Sequence, residues 1–164
     1  LMEEGFLTGP APLFDIAQVR KVSIESRQYP VTVHFARRTP ADYEAECFAK
    51  VCKLHRKLPS GDVLVFLSGR QEIDNLCRRL TKEFPDPLKF KVVPLYAMLP
   101  SPQQRQVFAT SREGQRKVVV STNVAETSLT IPGIRYVIDS GKAKERIFSN
   151  GALSSLQVEW ISKA

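Results

Sequence analysis

Residues Val118 to Ile131 constrain the fold more than any other stretch of the chain. Val118-Val119-Val120 is wholly apolar and gives way at once to Ser121-Thr122-Asn123, then to Val124-Ala125-Glu126-Thr127-Ser128-Leu129-Thr130-Ile131. An apolar run without alternation suits a parallel strand buried on both faces. Small polar residues at the carboxyl end of such a strand sit where open α/β sheets bind their ligands. Hydroxyls and a side-chain amide at that place can hydrogen-bond phosphate oxygens without reading any base. The same letters also suit a strand-to-helix turn capped by Thr122 or Asn123. The chain then resumes with the turn Pro132-Gly133-Ile134 and another strand, Tyr136 to Asp139.

The rest of the chain supplies the partners that such a strand needs. Thr39-Pro40 reads as a helix start, a hydroxyl cap followed by proline at the first helical position. Tyr43, Cys47, Val51, Leu54 and Leu58 then make one apolar stripe. The opposite face begins acidic (Asp42, Glu44, Glu46) and ends basic (Lys53, Arg56, Lys57), an order that complements the helix dipole. Pro59-Ser60-Gly61 stops this helix. Val63 to Leu67 is an unbroken apolar strand, and Ser68-Gly69 turns it into a helix with Ile73, Leu76, Cys77, Leu80 and Phe84 inward. The strand Lys91–Tyr96, a helix around Pro102–Phe108 and the strand Lys117–Val120 follow. Strands alternating with helices imply βαβ units, so the expected class is α/β, one parallel sheet of about five or six strands flanked by helices. After Asp139 the pattern changes. Lys142–Phe148 and Leu156–Trp160, joined through Ser149-Asn150-Gly151, predict a projecting β-hairpin. Residues 1–19 show no period, and Arg20 to Phe35 reads as two extended pieces hinged at Pro30.

At 164 residues the chain has room for one α/β domain, and 43% apolar with 25% charged residues is a globular profile. The formal net charge of +7 fits a polyanionic partner. Cys47, Cys52 and Cys77 have no metal-ligand spacing, and Cys47 and Cys77 fall on apolar helix faces, as reduced core residues do. No apolar run approaches membrane-spanning length, so no membrane partner is expected. Leu1 is not an initiator residue, so the expectation is a segment of a longer protein.

Three polar loops follow three buried strands: Ser68-Gly69-Arg70, Ala97-Met98-Leu99-Pro100 and Ser121-Thr122-Asn123. In a parallel sheet all three share one edge and form a ledge suited to a sugar-phosphate backbone. Lys144 in the hairpin adds a charge. Ser68 also suits a capping box with Gln71, which would leave its backbone N–H for the ligand. From its neighbours alone Phe108 reads as the end of an apolar helix face with Val107. Gly141-Lys142 is no phosphate-binding loop, because the upstream glycine is missing and Ala143 follows. No metal cluster, nucleophile–base pair or catalytic carboxylate pair stands out, and His34 and His55 are far apart. By these residues the segment has no catalytic residues of its own and does not hydrolyse ATP alone.

From about Arg20 onward the chain resembles the second RecA-like domain of the DEAH-box (DEAH/RHA) ATP-dependent RNA helicases. Leu64 to Ile73 resembles motif IV, Pro94 to Phe108 motif IVa, and Ser121 to Ile131 motif V. Trp160 to Ala164 resembles the lead-in to motif VI. Glu25 to Phe35, Arg38 to Pro40 and Glu46 to Arg56, with Pro132-Gly133-Ile134, are similar to the nucleolar subgroup that acts in the small-subunit processome. That subgroup often carries a long acidic insertion after the motif IV helix, whereas here only about Phe84 to Lys91 spans the gap.

The resemblance implies a P-loop NTPase-like fold without its own P-loop. It implies that residues 1–28 are the tail of the first RecA-like domain and an interdomain linker, and that 29–164 are the second RecA-like domain, ending before motif VI. It implies that Ser68, Gly69, Arg70, Ala97, Thr122, Asn123 and Lys144 touch the RNA backbone. Phe108 would stack on adenine, Ser128 would sense the nucleotide state, and Thr130 would lie near the ribose or phosphates. An aspartate common at the position of Pro132 is missing. ATP would be shared with the first RecA-like domain, and Mg2+ would be held by ligands outside this segment. The implied partners are single-stranded RNA (pre-rRNA and snoRNA), the other helicase domains of the same protein, an activating protein and the small-subunit processome, in the nucleolus or nucleus. The alternatives are a DEAH helicase of splicing or RNA surveillance, and a non-enzymatic RNA-binding module derived from a helicase.

Overall fold

Four parallel strands in the order β2-β3-β1-β4 form the central sheet. They are β1 (Asp62–Phe66), β2 (Phe90–Leu95), β3 (Arg116–Ser121) and β4 (Ile134–Asp139). The computed structural model describes residues 30–123, 130–149 and 152–161, with the backbone alone for 145–149 and 152–156. By its internal contacts the chain divides into Leu1–Arg37 and Arg38–Ala164. In the first unit the described residues 30–35 join no helix or ladder. Among the described residues the sheet therefore has four strands, against the five or six expected, and the described part of the extended stretch, residues 30–35, supplies none. Residues 1–28, read as a tail and linker, lie outside the described set.

The middle strand β3 is buried along its whole length, as an unbroken apolar run requires. Its neighbours are β2 (Val92 opposite Val118) and β1 (Val63 opposite Val118). Side chains alternate across a strand, so each face of the sheet has its own core. Helices α1 (Tyr43–Lys57) and α2 (Arg70–Glu83) cover one face with Cys47, Val51, Ile73, Leu76 and Leu80 over Val63, Val65, Val118 and Val120. On the other face Val107 and Ile131 pack on Leu64, Val93, Leu95 and Val119. Val107 comes from a short helix α3 (Ser101–Gln104) that runs into a 3-10 turn, Arg105–Phe108.

Helix α1 starts later than the sequence predicts. Its cap is Asp42, whose Oδ1 accepts the Ala45 N–H at 2.9 Å, so Thr39-Pro40 precedes the helix. A carboxylate there caps the turn and meets the positive end of the dipole, which a threonine does less well. Leu58, expected in the buried stripe, is the exposed C-cap, and Cys52 is buried instead. Burial pushes the Cys47 and Cys77 thiols up to about 12 and raises Cys52, so all three stay protonated at neutral pH. The link from α2 to β2 is tight. The Asp86 carbonyl accepts Lys89 and Phe90 N–H groups, and its carboxylate accepts that of Leu88.

Strands β5 (Lys142–Ser149) and β6 (Ala152–Trp160) form the separate antiparallel hairpin. The second strand begins four residues earlier than expected, because a register shift between Ile147 and Ser149 lets Ser149 pair with Ala152. Asn150 and Gly151 themselves lie outside the described residues. At the hairpin base the Lys142 ammonium sits 4.0 Å from the centre of the Trp160 ring. Gly141 has φ +70°, and a Cβ there would meet that ring at 3.5 Å.

Candidate nucleic-acid and nucleotide interface

The carboxyl ends of the strands meet at one edge through three backbone hydrogen bonds. Leu67 N–H donates to Ser121 O (2.9 Å), Thr122 N–H to Leu95 O (3.3 Å) and Ser140 N–H to Phe66 O (3.2 Å). These bonds line up the loops after β1, β2, β3 and β4. The predicted ledge residues Gly69, Arg70, Ala97, Thr122 and Asn123 share this edge. Lys144 reaches it from the hairpin: a Cβ on Gly69 would lie 3.0 Å from the Lys144 ammonium. Gly69 itself is extended (φ −158°), so its lack of a side chain serves the close approach and not the backbone. Arg70 is exposed. Its guanidinium packs 5.3 Å from the Tyr96 ring centre and pairs with Asp74 at 3.4 Å, a surface pair that exchanges readily for another anion. Met98, beside Ala97, is 84% exposed.

Ser68 has a different job from the one expected. It is buried, and its capping partner is Glu72, not Gln71. Ser68 gives its N–H (3.0 Å) and its hydroxyl (2.8 Å) to the Glu72 carboxylate, so the backbone N–H held in reserve for a ligand is already used. The Tyr43 hydroxyl donates to the same carboxylate. Burial and then the hydrogen bond to Glu72 raise the Tyr43 pKa, which keeps that proton in place at neutral pH. One carboxylate thus ties α1, α2 and the loop beneath Lys144.

The opposite, amino-terminal edge holds Phe108 and Thr130. Phe108 is 39% exposed although Val107 beside it is fully buried, so its ring is not simply the end of a core stripe. Thr130 is exposed next to buried Ile131. Ser128 lies outside the described residues. At this edge the structure also shows a buried set that the sequence reading missed. Asp62, first residue of β1, is 3% exposed and accepts from the Lys117 N–H (2.8 Å) and the Ser111 hydroxyl (2.7 Å). The Lys117 ammonium lies 3.5 Å from Asp62 and donates to Val107 O and Ala109 O, both at 2.8 Å. Arg116 turns to the other face, where its guanidinium donates to Leu54 O (2.6 Å), Leu58 O (3.1 Å) and Pro59 O at the end of α1. The available signal was two cations at the start of an apolar strand, where a solvated end is the usual reading.

Among the described residues no group of three potential metal ligands exists. A half-exposed aromatic ring and a hydroxyl fit the base and sugar of a nucleotide.

Residues 46–152 match the family model described as helicase conserved C-terminal domain. The chain is similar to the putative ATP-dependent RNA helicase PB1A10.06c of Schizosaccharomyces pombe, 39% identical over 87% of this chain and 16% of that protein. It is 36% identical to the probable ATP-dependent RNA helicase DHX37 of Homo sapiens, over 87% of this chain and 20% of that protein. It is 41% identical to the human ATP-dependent RNA helicase DHX33, over 85% of this chain and 21% of that protein. The chain therefore spans about a fifth or less of the length of these curated relatives. The first two alignments run over 192 and 234 positions against about 143 residues here (87% of 164), so those relatives carry extra sequence inside the matched stretch.

Proposed function

The chain belongs to the helicase conserved C-terminal domain family, on the DEAH-box RNA helicase side, and from that premise we propose that it is the RNA-gripping half of an ATP-dependent RNA helicase. The observation that carries this reading is the carboxyl edge, where Gly69, Arg70, Ala97, Thr122 and Asn123 line up and the Lys144 ammonium lies against Gly69. The groups offered are hydroxyl, amide, backbone and cation, which suit phosphate and sugar and carry no base code.

ATP occupies the opposite edge in this reading, between this domain and the first RecA-like domain, with Phe108 against the base and Thr130 near the ribose or phosphates. The phosphates and their Mg2+ fall to residues of the other domain, which supply the hydrolytic chemistry. Strand β3 joins the two edges directly, from Lys117 to Ser121-Thr122, a span of roughly 13–17 Å at the rise of a strand. It is buried throughout and therefore moves as a rigid bar. Domain closure on ATP at one end displaces the ledge at the other, so the RNA backbone is released and regripped with each cycle.

The test is RNA binding by the full-length protein, by fluorescence anisotropy on several unrelated single strands. Thr122→Ala, Asn123→Ala and Lys144→Ala weaken all strands alike, and Lys144→Ala reduces the slope of log K against log salt by about 0.7. A loss confined to one sequence would mean base readout and would overturn the ledge.

The RNA is pre-rRNA paired with snoRNA, in a small-subunit processome of the nucleolus with an activating protein. The similarity at Glu25–Phe35, Glu46–Arg56 and Pro132-Gly133-Ile134 supports this. Crosslinking the full-length protein to RNA in cells decides it. Recovery chiefly of spliceosomal or messenger RNA would move the role to splicing or surveillance.

A further inference from the structure

Among the described residues Lys117 is the largest side chain to be fully buried, at 1% exposure. Its ammonium has three protons, and all are directed: to Val107 O, to Ala109 O and toward Asp62. The two carbonyls are those on either side of Phe108. Ser111, two residues beyond Ala109, donates its hydroxyl to both oxygens of Asp62, at 2.8 and 2.7 Å. Residues 107, 109 and 111 are thus each tied to one buried ion pair, while Phe108 between them turns outward. The same Asp62 donates its N–H to Gly133 O at 3.0 Å, and a Cβ on Gly133 would meet its carboxylate at 2.8 Å. Gly133 has φ +84° and lies three residues after Thr130. One node therefore fixes both segments that border the amino edge.

A buried ion pair adds little net stability over an apolar pair of the same volume. What it adds here is direction, because hydrogen bonds to carbonyls fix the end of a 3-10 turn more narrowly than packing does. We propose that Lys117, held by Asp62 and Ser111, is a positioning residue that sets the Phe108 ring for stacking on the nucleobase. The inference rests on the reading of Phe108 given above. It assigns to the Asp62–Lys117–Ser111 node the affinity for the base, separate from the affinity for the phosphates.

The test uses the full-length protein and its RNA-stimulated hydrolysis of two substrates, ATP and ribose 5′-triphosphate, which has no base. Lys117→Met raises the KM for ATP about tenfold with kcat within about twofold, and leaves the KM for the base-free triphosphate unchanged. Ser111→Ala removes a single hydroxyl and gives the same pattern at about threefold. It decides the matter alone if Lys117→Met does not fold. Combined with Phe108→Ala, Ser111→Ala adds no further loss. If Phe108→Ala raises the KM for ATP but Ser111→Ala and a folded Lys117→Met do not, the positioning role is wrong and the reading of Phe108 stands. Equal losses on both substrates mean a merely structural node and also overturn it. An unchanged KM for ATP in Phe108→Ala removes the reading of Phe108 itself, and the proposal with it.

Discussion

The two edges of the sheet solve opposite problems with similar residues. At the amino edge two cations, Arg116 and Lys117, are buried and spend their protons on backbone carbonyls and Asp62. At the carboxyl edge Arg70 and Lys144 stay exposed. A buried cation bonded to several backbone carbonyls is a fixed part of the frame, whereas an exposed one is free to follow a moving phosphate. The difference shows that charge alone does not mark a binding surface in this fold. Under the proposed reading, what marks it is charge left unspent by the backbone around it.

The sharpest way to break that contrast is to cut the amino edge. Asp62→Ala leaves the Lys117 ammonium buried without its counter-ion and frees Ser111. It lowers the stability of the chain by about 3–5 kcal/mol, read as a shift in urea midpoint at constant m-value. A loss below about 1 kcal/mol would mean that water already reaches this pair, and the contrast between the edges would vanish.

The next effect tests the carboxyl edge. Glu72→Ala strands the Ser68 N–H, which is buried, and removes the acceptor of the Tyr43 hydroxyl. The expected loss is about 1–3 kcal/mol by the same measurement. The full-length protein should also bind single strands more weakly, because the loop under Lys144 loses its anchor. If stability falls and RNA affinity does not, the ledge does not depend on the Ser68–Glu72 lock.

The contrast also explains which parts of the molecule were legible in the sequence. The apolar run at Val118–Val120 required a doubly covered parallel strand, and the structure has one. The hairpin followed from its turn letters. Each error came from a competition that spacing cannot resolve. Asp42 outcompetes Thr39 as a helix cap because a carboxylate better answers the dipole. Glu72 outcompetes Gln71 for Ser68 because its charge and two acceptor oxygens suit a buried hydroxyl and N–H together. Asp62, Ser111 and Lys117 are separated by 49 and 6 residues, and only the sheet register brings them together. Local periodicity has no means of pairing them.

The smallest effect probes the amino edge from its helix side. His55 lies between Phe84 and Phe90, with ring centres 4.6 and 4.7 Å away, and Phe90 is the first residue of β2. Burial among these rings lowers its pKa, and the nearby Arg116 and Arg56 charges lower it further. The folded chain therefore holds the neutral imidazole, while the unfolded chain takes up a proton near the ordinary histidine value of about 6.5. The unfolded state binds more protons between the two values, so stability rises with pH across that window. It is fully present above about 6.5 and is lost as pH falls toward the folded value. Melting temperatures taken from pH 7.5 down to 5.5 (buffer values on either side of about 6.5) should decline. His55→Phe should flatten that part of the decline, since a ring of similar size without a proton site keeps the packing. Equal slopes in both proteins would locate the acid sensitivity elsewhere, and the amino edge would then owe its rigidity to Arg116 and Lys117 alone.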